Sequence, residues 1–188
     1  MQDKHYLMIP GPTPVPPAVV AAMSKPMIGH RSKEFAQMYE RIVEKLQRLF
    51  QTKNDIFVLT NSGTGAMETA IANTVTAGDK VLALITGNFG ERFAKIARAY
   101  GAEVIEVNFG YGNDVDLAVV KEKLAQHPDI KVVLATQNET STGVCNDIAG
   151  IGELVAKTPA LLLVDGVSGV GAIEIKVDDW HVDMLCTA

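Results

Sequence analysis

From Asp55 to the end of the chain, short apolar runs alternate with stretches in which apolar residues recur every three or four positions. The short runs predict strands, and the three-to-four spacing predicts helices. The predicted strands are 56–60, 81–85, 104–107, 131–136, 160–165 and 182–186, and the predicted helices are 65–76, 89–100, 116–126 and 148–156. Strands that alternate with helices form βαβ units. We therefore predict an α/β fold with a mostly parallel sheet and helices on both of its faces.

The first fifty residues have a different pattern. Residues 8–17 are rich in proline, which removes backbone donors and favours an extended arm along a surface. Pro16 and Pro17 can begin a short helix that runs to about Met23, because proline is tolerated in a first turn. Ser32 can cap a longer helix in which apolar residues recur at helical spacing. We expect an N-terminal arm and helix over 1–50 and a larger domain over 51–188.

Composition and charge narrow the classes of function. Apolar residues make up 47% and charged residues 21% of the chain, which is typical of a globular protein. The net charge of −5 and the pI near 5.3 do not favour nucleic-acid binding. No segment approaches the roughly 20 apolar residues of a membrane span, and the N-terminus does not resemble a secretory signal. Cys145 and Cys186 lack metal-ligand spacing, so we expect a cytoplasmic protein with reduced thiols, no metal and no membrane role.

Small and polar residues gather where predicted strands end, which is where ligands bind in open α/β sheets. The first such segment, 61–66, precedes a predicted helix. Its small residues, its hydroxyl groups and the helix N-terminus suit an anion such as phosphate. A capped tight turn explains the same residues equally well. The segment lacks the lysine of a P-loop and the third glycine of a dinucleotide-binding fingerprint.

Three further strand ends carry candidate groups. Phe89 lies between Gly87 and Gly90 and can present its ring to a planar ligand, or it can be a core residue at a helix start. Residues 136–143 offer hydroxyl and amide groups, either for a ligand or for turns. Asp165 ends an apolar strand, where a lone carboxylate is costly without a cation, although it can also cap the next turn. The four segments together suit a phosphorylated, aromatic, cationic heterocycle.

Taken together, the motifs of the chain resemble those of a known family. The motifs that carry the resemblance, in family order and over essentially the whole chain, are 10–14, 29–32, 62–66, 87–92, 138–143 and 164–168. They resemble the first half of class V, fold-type I aminotransferases that depend on pyridoxal 5′-phosphate (PLP), in the alanine–glyoxylate/serine–pyruvate branch. The resemblance therefore implies PLP as the cofactor.

The resemblance assigns the phosphate and the ring of that cofactor to different residues. It implies that Thr64, Gly65 and Ala66 bind the PLP phosphate. It implies that Phe89 stacks on one face of the pyridine ring and that Val167 packs against the other.

Three more roles follow from the same resemblance. Thr140 would form a hydrogen bond near the ring hydroxyl, and Asp165 would pair with the protonated pyridine nitrogen. Such a carboxylate favours the cationic ring and so strengthens PLP as an electron acceptor. Gly11, in the proline-rich arm, would approach the substrate.

The implied reaction is transamination between a small amino acid, alanine or serine, and a 2-oxo acid, glyoxylate or pyruvate. A homodimer with its active site at the subunit boundary is implied too. Phosphoserine and aminoethylphosphonate aminotransferases, cysteine desulfurases and a non-catalytic α/β module that binds a phosphorylated ligand remain alternatives. The family's Schiff-base lysine would lie a few residues past Ala188. We therefore expect an N-terminal portion of the enzyme, without the small C-terminal domain and inactive by itself.

Overall fold

The structure, a computed structural model, describes residues 7–188, so the first six residues of the predicted arm lie outside it. The described residues form two compact units, one that ends at Lys45 and one that runs Leu46–Ala188. Helix α1 (Pro17–Met23) belongs to the first unit, and helix α2 (Lys33–Phe50) begins there. The predicted cap of α2 is confirmed, because the Phe35 N–H donates to Ser32 Oγ over 3.1 Å.

The second unit contains the predicted α/β fold. Its strands are β1 (Lys80–Ile85), β2 (Glu103–Asn108), β3 (Ile130–Thr136), β4 (Asn138–Glu139), β5 (Val144–Cys145), β6 (Leu161–Asp165) and β7 (Met184–Cys186). Its remaining helices are α3 (Gly63–Thr74), α4 (Asn88–Ala99), α5 (Leu117–Gln126) and α6 (Ile148–Val155). Five strands form a sheet in the order β2-β1-β3-β6-β7, and every neighbouring pair is parallel. Strands β4 and β5 form a separate antiparallel pair.

The sheet is buried on both faces because each central strand supplies a different set of apolar side chains to each side. In β1, Leu82 and Leu84 pack in one core cluster with side chains of α5 and α6. Val81, Ala83 and Ile85 pack in the other cluster with side chains of α3 and α4. This period of two is a property of extended backbone, and continuous apolar runs are typical of parallel sheets covered by helices.

The prediction of a strand at 56–60 is wrong. The backbone there forms no strand, and the side chains of Phe57, Val58 and Leu59 are 77%, 51% and 46% exposed. A strand requires a neighbouring strand to pair its N–H and C=O groups. Within residues 7–188 no strand of either sheet pairs with this segment, and its backbone is therefore not part of a sheet.

The parallel arrangement places the carboxyl ends of β1, β3 and β6 along one edge of the sheet. The polar segments that follow these strands therefore meet at that edge. Among residues 7–188, no helix is long and apolar enough to cross a membrane.

Candidate functional site

Four segments form the candidate site, and we name each by its chemistry. They are the anion loop (61–65), the aromatic loop (86–90), the polar loop (136–143) and the carboxylate loop (165–168). The anion loop leads into α3, whereas the other three loops begin at the ends of β1, β3 and β6. Each loop is linked to the next, either by direct contact or through the side chain of Arg92, so the four form a closed ring.

The anion loop leaves two backbone donors free. Ser62 caps α3, and its Oγ accepts a hydrogen bond from the Gly65 N–H over 3.3 Å. The Ser62 N–H itself donates to Asn61 Oδ1 over 2.9 Å. Within the described part of the chain, the N–H groups of Gly63 and Thr64 have no acceptor. Free first-turn N–H groups, together with the helix dipole, suit an anion.

The predicted phosphate-binding residues therefore differ in whether their backbone N–H group is free to bind an anion. The N–H groups of Gly65 and Ala66 already donate within the first turn of α3, to Ser62 Oγ and Ser62 O. The free donors belong to Thr64, which we predicted, and to Gly63, which we did not. Which N–H groups stay free depends on where the helix begins, because only the N–H groups of its first turn lack a partner within the helix. The sequence alone does not locate the first helical residue to within one position.

The aromatic loop is joined to the anion loop by Arg92. Phe89, half-buried at the start of α4, has the Arg92 guanidinium over its ring, with Cζ 4.6 Å from the ring centroid. Arg92 Nη1 also donates to Thr64 Oγ1 over 3.0 Å. Arg92 lies in a predicted motif, but we assigned it no role. The sequence spacing did not indicate which neighbouring loop its long side chain contacts.

The polar loop is joined to the carboxylate loop by hydroxyl groups. Thr140 Oγ1 lies 2.7 Å from Ser168 Oγ. Ser168 Oγ donates to the Asn138 carbonyl over 3.0 Å and accepts from Asn138 Nδ2 over 2.9 Å. Since those two bonds occupy the Ser168 proton and one lone pair, the Thr140 hydroxyl is the donor to Ser168. Thr140 is therefore held at the site by a residue to which we assigned no role.

Asp165 is buried at the end of β6, with 3% of its surface exposed. Burial raises the pKa of this carboxyl, the N–H of Val167 lowers it, the charge of Glu139 raises it and that of Arg92 lowers it. The Val167 N–H donates to Oδ1 over 3.0 Å. Within residues 7–188 no cationic side chain forms an ion pair with this carboxylate. Arg92 acts on Asp165 only from a distance, and a cationic ligand or a proton in contact with the carboxylate would neutralise its charge.

Val167 closes the ring of loops. A Cβ built on Gly63 would lie 2.6 Å from Val167 Cγ2, so the anion loop and the carboxylate loop approach as closely as a glycine allows. The thiol of Cys186, in β7, donates to the Ala66 carbonyl over 3.5 Å beside this contact. Thr64, Phe89, Thr140, Asp165 and Val167 thus belong to one ring. Gly11 lies exposed in the first unit, and its role stays a prediction.

Glu139 is a site feature that the sequence analysis missed. Its side chain is fully buried between the polar and aromatic loops and accepts hydrogen bonds from both. The clue available in the sequence was a carboxylate in the middle of a polar loop, which is usually solvent-exposed. Among residues 7–188, no three His, Cys, Asp or Glu side chains are placed to hold one metal ion.

Comparison with known proteins identifies relatives over nearly the whole chain. The family pattern described as Aminotransferase class-V matches residues 5–188. An uncharacterized aminotransferase of Methanocaldococcus jannaschii is 49% identical over 98% of this chain and 48% of its own length. The soluble hydrogenase small subunit of Synechococcus sp. is 42% identical over 98% of this chain and 49% of its own length. Serine–glyoxylate aminotransferase of Hyphomicrobium methylovorum is 40% identical over 95% of this chain and 45% of its own length.

Solved structures of similar proteins have the same fold. Alanine–glyoxylate aminotransferase from Nostoc sp. matches with a TM-score of 0.92 and 34% identity, over 95% of this chain and 48% of that one. Pyridoxamine–pyruvate aminotransferase from Mesorhizobium loti matches with a TM-score of 0.93 and 28% identity, over 99% of this chain and 47% of that one. The chain spans about half the length of the curated relatives it matches.

Proposed function

Because the chain belongs to the class V aminotransferase family, we propose that it is the cofactor-binding part of a PLP-dependent aminotransferase. The observation that carries this proposal is the buried carboxylate of Asp165, which has no cationic partner within residues 7–188 and lies in a ring of four loops. The same four loops also offer an aromatic side chain and free N–H donors that suit an anion. A ligand with a cationic aromatic ring and a phosphate group would satisfy all three features.

The residues present fit the two polar ends of this cofactor. We assign the phosphate to the anion loop, where the N–H of Thr64 is free and Gly65 and Ala66 complete the first helical turn. The Arg92 guanidinium, bonded to Thr64 Oγ1, adds positive charge beside that end. We assign the protonated pyridine nitrogen to Asp165, since a buried carboxylate beside an N–H cation regains the stabilisation that burial removed.

The remaining residues would hold the ring between them. We assign one face of the ring to Phe89 and the other to Val167. Thr140, held by Ser168, is assigned to the ring hydroxyl. When bound, the cofactor supplies a conjugated cationic ring that accepts electrons from the reacting carbon of the amino acid. The contribution of Asp165 to that chemistry is to keep the ring nitrogen protonated.

We further propose that the whole protein exchanges an amino group between a small amino acid, alanine or serine, and a 2-oxo acid, glyoxylate or pyruvate. The names of the Hyphomicrobium and Nostoc proteins support serine or alanine with glyoxylate, and the name of the Mesorhizobium protein supports pyruvate as the 2-oxo acid.

The wider organisation of the protein belongs to the same proposal. Residues 51–188 would form most of the PLP-binding domain, preceded by the arm and helix over 1–50. The lysine that bonds to the cofactor and the small C-terminal domain would follow in the whole protein. We propose a cytoplasmic homodimer in which Gly11 approaches the substrate.

Titration of this chain with pyridoxamine 5′-phosphate, followed by the absorbance of the probe, tests the proposal. Pyridoxamine 5′-phosphate carries the ring and the phosphate and needs no covalent bond to a lysine. We expect it to bind, and inorganic phosphate to compete with it. Asp165→Asn should weaken binding of the probe but leave binding of inorganic phosphate unchanged. Failure of the unsubstituted chain to bind the probe would overturn the proposal.

Activity of the whole protein is the second test. We expect amino transfer from alanine or serine to glyoxylate or pyruvate, and Asp165→Ala should abolish most of it while the protein stays folded. Full activity in that variant would rule out the role of Asp165.

A further inference from the structure

Glu139 is a buried carboxylate to which the proposed mechanism gives no task. The side chain is 0% exposed, and within residues 7–188 no lysine, arginine or histidine forms an ion pair with it. A buried charge without a cation is stable only when several N–H or O–H groups donate to it. The donors to Glu139 therefore indicate what it holds in place.

Those donors come from two loops of the site. The N–H groups of Phe89 and Gly90 donate to Glu139 Oε2 over 3.0 and 3.1 Å. The N–H and hydroxyl of Ser141 donate to Oε1 over 3.1 and 2.7 Å. One carboxylate thus joins the backbone of the aromatic loop to that of the polar loop, across 50 positions of the sequence.

The same contact caps helix α4. The residue at its N-cap position, Gly87, has no side chain to accept a hydrogen bond from the first turn. The Glu139 carboxylate, which belongs to the polar loop, accepts the hydrogen bonds that an N-cap side chain would accept. It also brings negative charge to the positive end of the helix. The first turn of α4, which carries Phe89, is therefore held by a side chain outside the helix.

The absence of a side chain at Gly87 makes room for this arrangement. A Cβ at that position would lie 2.6 Å from Glu139 Cγ and 2.5 Å from Ser141 Oγ. The Asn88 N–H also donates to Ser141 Oγ over 3.1 Å. A side chain at Gly87 would therefore push the carboxylate and Ser141 away from the start of α4.

We propose that Glu139 is a positioning residue that sets the place of the Phe89 ring in the site. Its carboxylate holds the backbone of Phe89, while the next residue along the chain, Thr140, faces the same ligand. Stacking depends on ring separation and offset, so a shift of the Phe89 backbone weakens it. This inference rests on the proposed function, because it assumes a ligand whose ring lies against Phe89.

Three variants of this chain test the inference with two probes. Glu139→Gln places an amide NH₂ group, itself a donor, where the N–H groups of Phe89 and Gly90 need an acceptor. Gly87→Ala displaces the Glu139 carboxylate but keeps its charge. Ser141→Ala removes the hydroxyl group that donates to Glu139. For the first two we expect pyridoxamine 5′-phosphate to bind roughly tenfold more weakly. Ser141→Ala leaves the Phe89 and Gly90 donors in place, so it should weaken binding of this probe less than either of the other two. Binding of inorganic phosphate should be unchanged, because the groups that donate to Glu139 within residues 7–188 belong to the aromatic and polar loops. Glu91→Gln, in the same first turn of α4, is the matched control and should bind both probes as the unsubstituted chain does.

The amide NMR signals of Phe89 and Gly90 supply a readout that needs no ligand. In Glu139→Gln and Gly87→Ala both signals should move upfield and exchange faster with solvent, whereas in Glu91→Gln they should stay. Unchanged amide signals, or unchanged probe binding, would overturn the inference. If Glu139→Gln does not fold, Gly87→Ala and Ser141→Ala decide. If the unsubstituted chain does not bind the probe, the proposed function fails, and the amide signals still show whether Glu139 holds the aromatic loop.

Discussion

The guanidinium of Arg92 lies over the ring of Phe89, with Cζ 4.6 Å from the ring centroid. Its Nη1 reaches Thr64 Oγ1 over 3.0 Å, so one cation is shared by the aromatic and anion loops. A planar guanidinium can stack on a ring and donate in its own plane at the same time. Arg92 thus connects the loop that we propose to hold the phosphate with the loop that we propose to hold one face of the cofactor ring.

Replacement of Arg92 should therefore affect both stability and anion binding. Arg92→Met removes the cation–π contact and the bond to Thr64, and we expect it to lower the free energy of unfolding by about 1 kcal/mol. It should also weaken binding of inorganic phosphate, since the anion loop loses its neighbouring charge. Chemical denaturation and phosphate titration measure the two effects.

Two further variants separate charge from shape in that experiment. Arg92→Lys keeps the charge but not the planar group, so it should recover part of the phosphate binding and little of the stability. Lys95→Met removes an exposed cation one turn further along α4 and should change neither quantity. Equal phosphate affinity in Arg92→Met and the unsubstituted chain would contradict the role given to Arg92.

The pH dependence of stability should reveal the buried carboxylate of Asp165. Burial, with the charge of Glu139 adding to it, raises the pKa of this group above its ordinary value of 3.8. Its contribution to stability is therefore fully present below pH 3.8 and is lost as the pH rises through the folded-state pKa. Asp165→Asn carries no such ionisation, so its stability relative to the unsubstituted chain should rise between about pH 4 and neutral pH.

Urea unfolding at a series of pH values checks this prediction. Asp147→Asn is a suitable control, because Asp147 is an exposed carboxylate that caps α6. A stability difference between Asp165→Asn and the unsubstituted chain that stays constant across that pH range would show that ionisation of Asp165 is not the cause.

The two cysteines should differ in reactivity. Burial, reinforced by the charge of Asp165, raises the pKa of the Cys186 thiol to about 12. Because the thiolate is the nucleophile, iodoacetamide at about pH 8 should label exposed Cys145 and leave Cys186 unmodified. Mass spectrometry of the folded protein measures this, with the urea-unfolded protein as the control in which both thiols react. Rapid labelling of Cys186 in the folded protein would contradict the packing of β7.

The close approach of Gly63 and Val167 gives a further prediction. In Gly63→Ala the new Cβ would meet Val167 Cγ2 at 2.6 Å, so we expect a loss of about 1–3 kcal/mol in the free energy of unfolding. Val167→Ala in the same chain removes the obstructing methyl groups and should restore part of that loss. Thermal unfolding of the single and double variants compares them, and strictly additive effects would argue against a direct clash.

Most of the fold was predictable from the sequence because its signals are local. The period of two in β1 and the spacing of apolar residues in α4 each depend on a few neighbouring positions. The predicted bounds of α4, 89–100, differ by one residue at each end from the observed Asn88–Ala99. The wrong prediction of a strand at 56–60 has a non-local cause, because a strand forms only when another strand is beside it.

The candidate site was predictable to the extent that strand ends of a parallel sheet must share one edge. That rule placed Phe89, Thr140 and Asp165 together without any knowledge of their contacts. It could not reveal Glu139 or Arg92, whose partners lie 50 and 28 positions away in the sequence. Side chains that join loops are specified by how closely those loops approach, which is not a property of any one segment.

The sequence by itself determined the α/β architecture, the edge at which a ligand would bind and the residue types available there. The tertiary structure alone decided which backbone donors stay free in the anion loop, that Arg92 bridges two loops, and that Glu139 caps a helix from outside it. The physical reason is the range of the interactions. Hydrophobic periodicity is encoded over a few residues, whereas a buried carboxylate is satisfied only by the donors that folding brings to it.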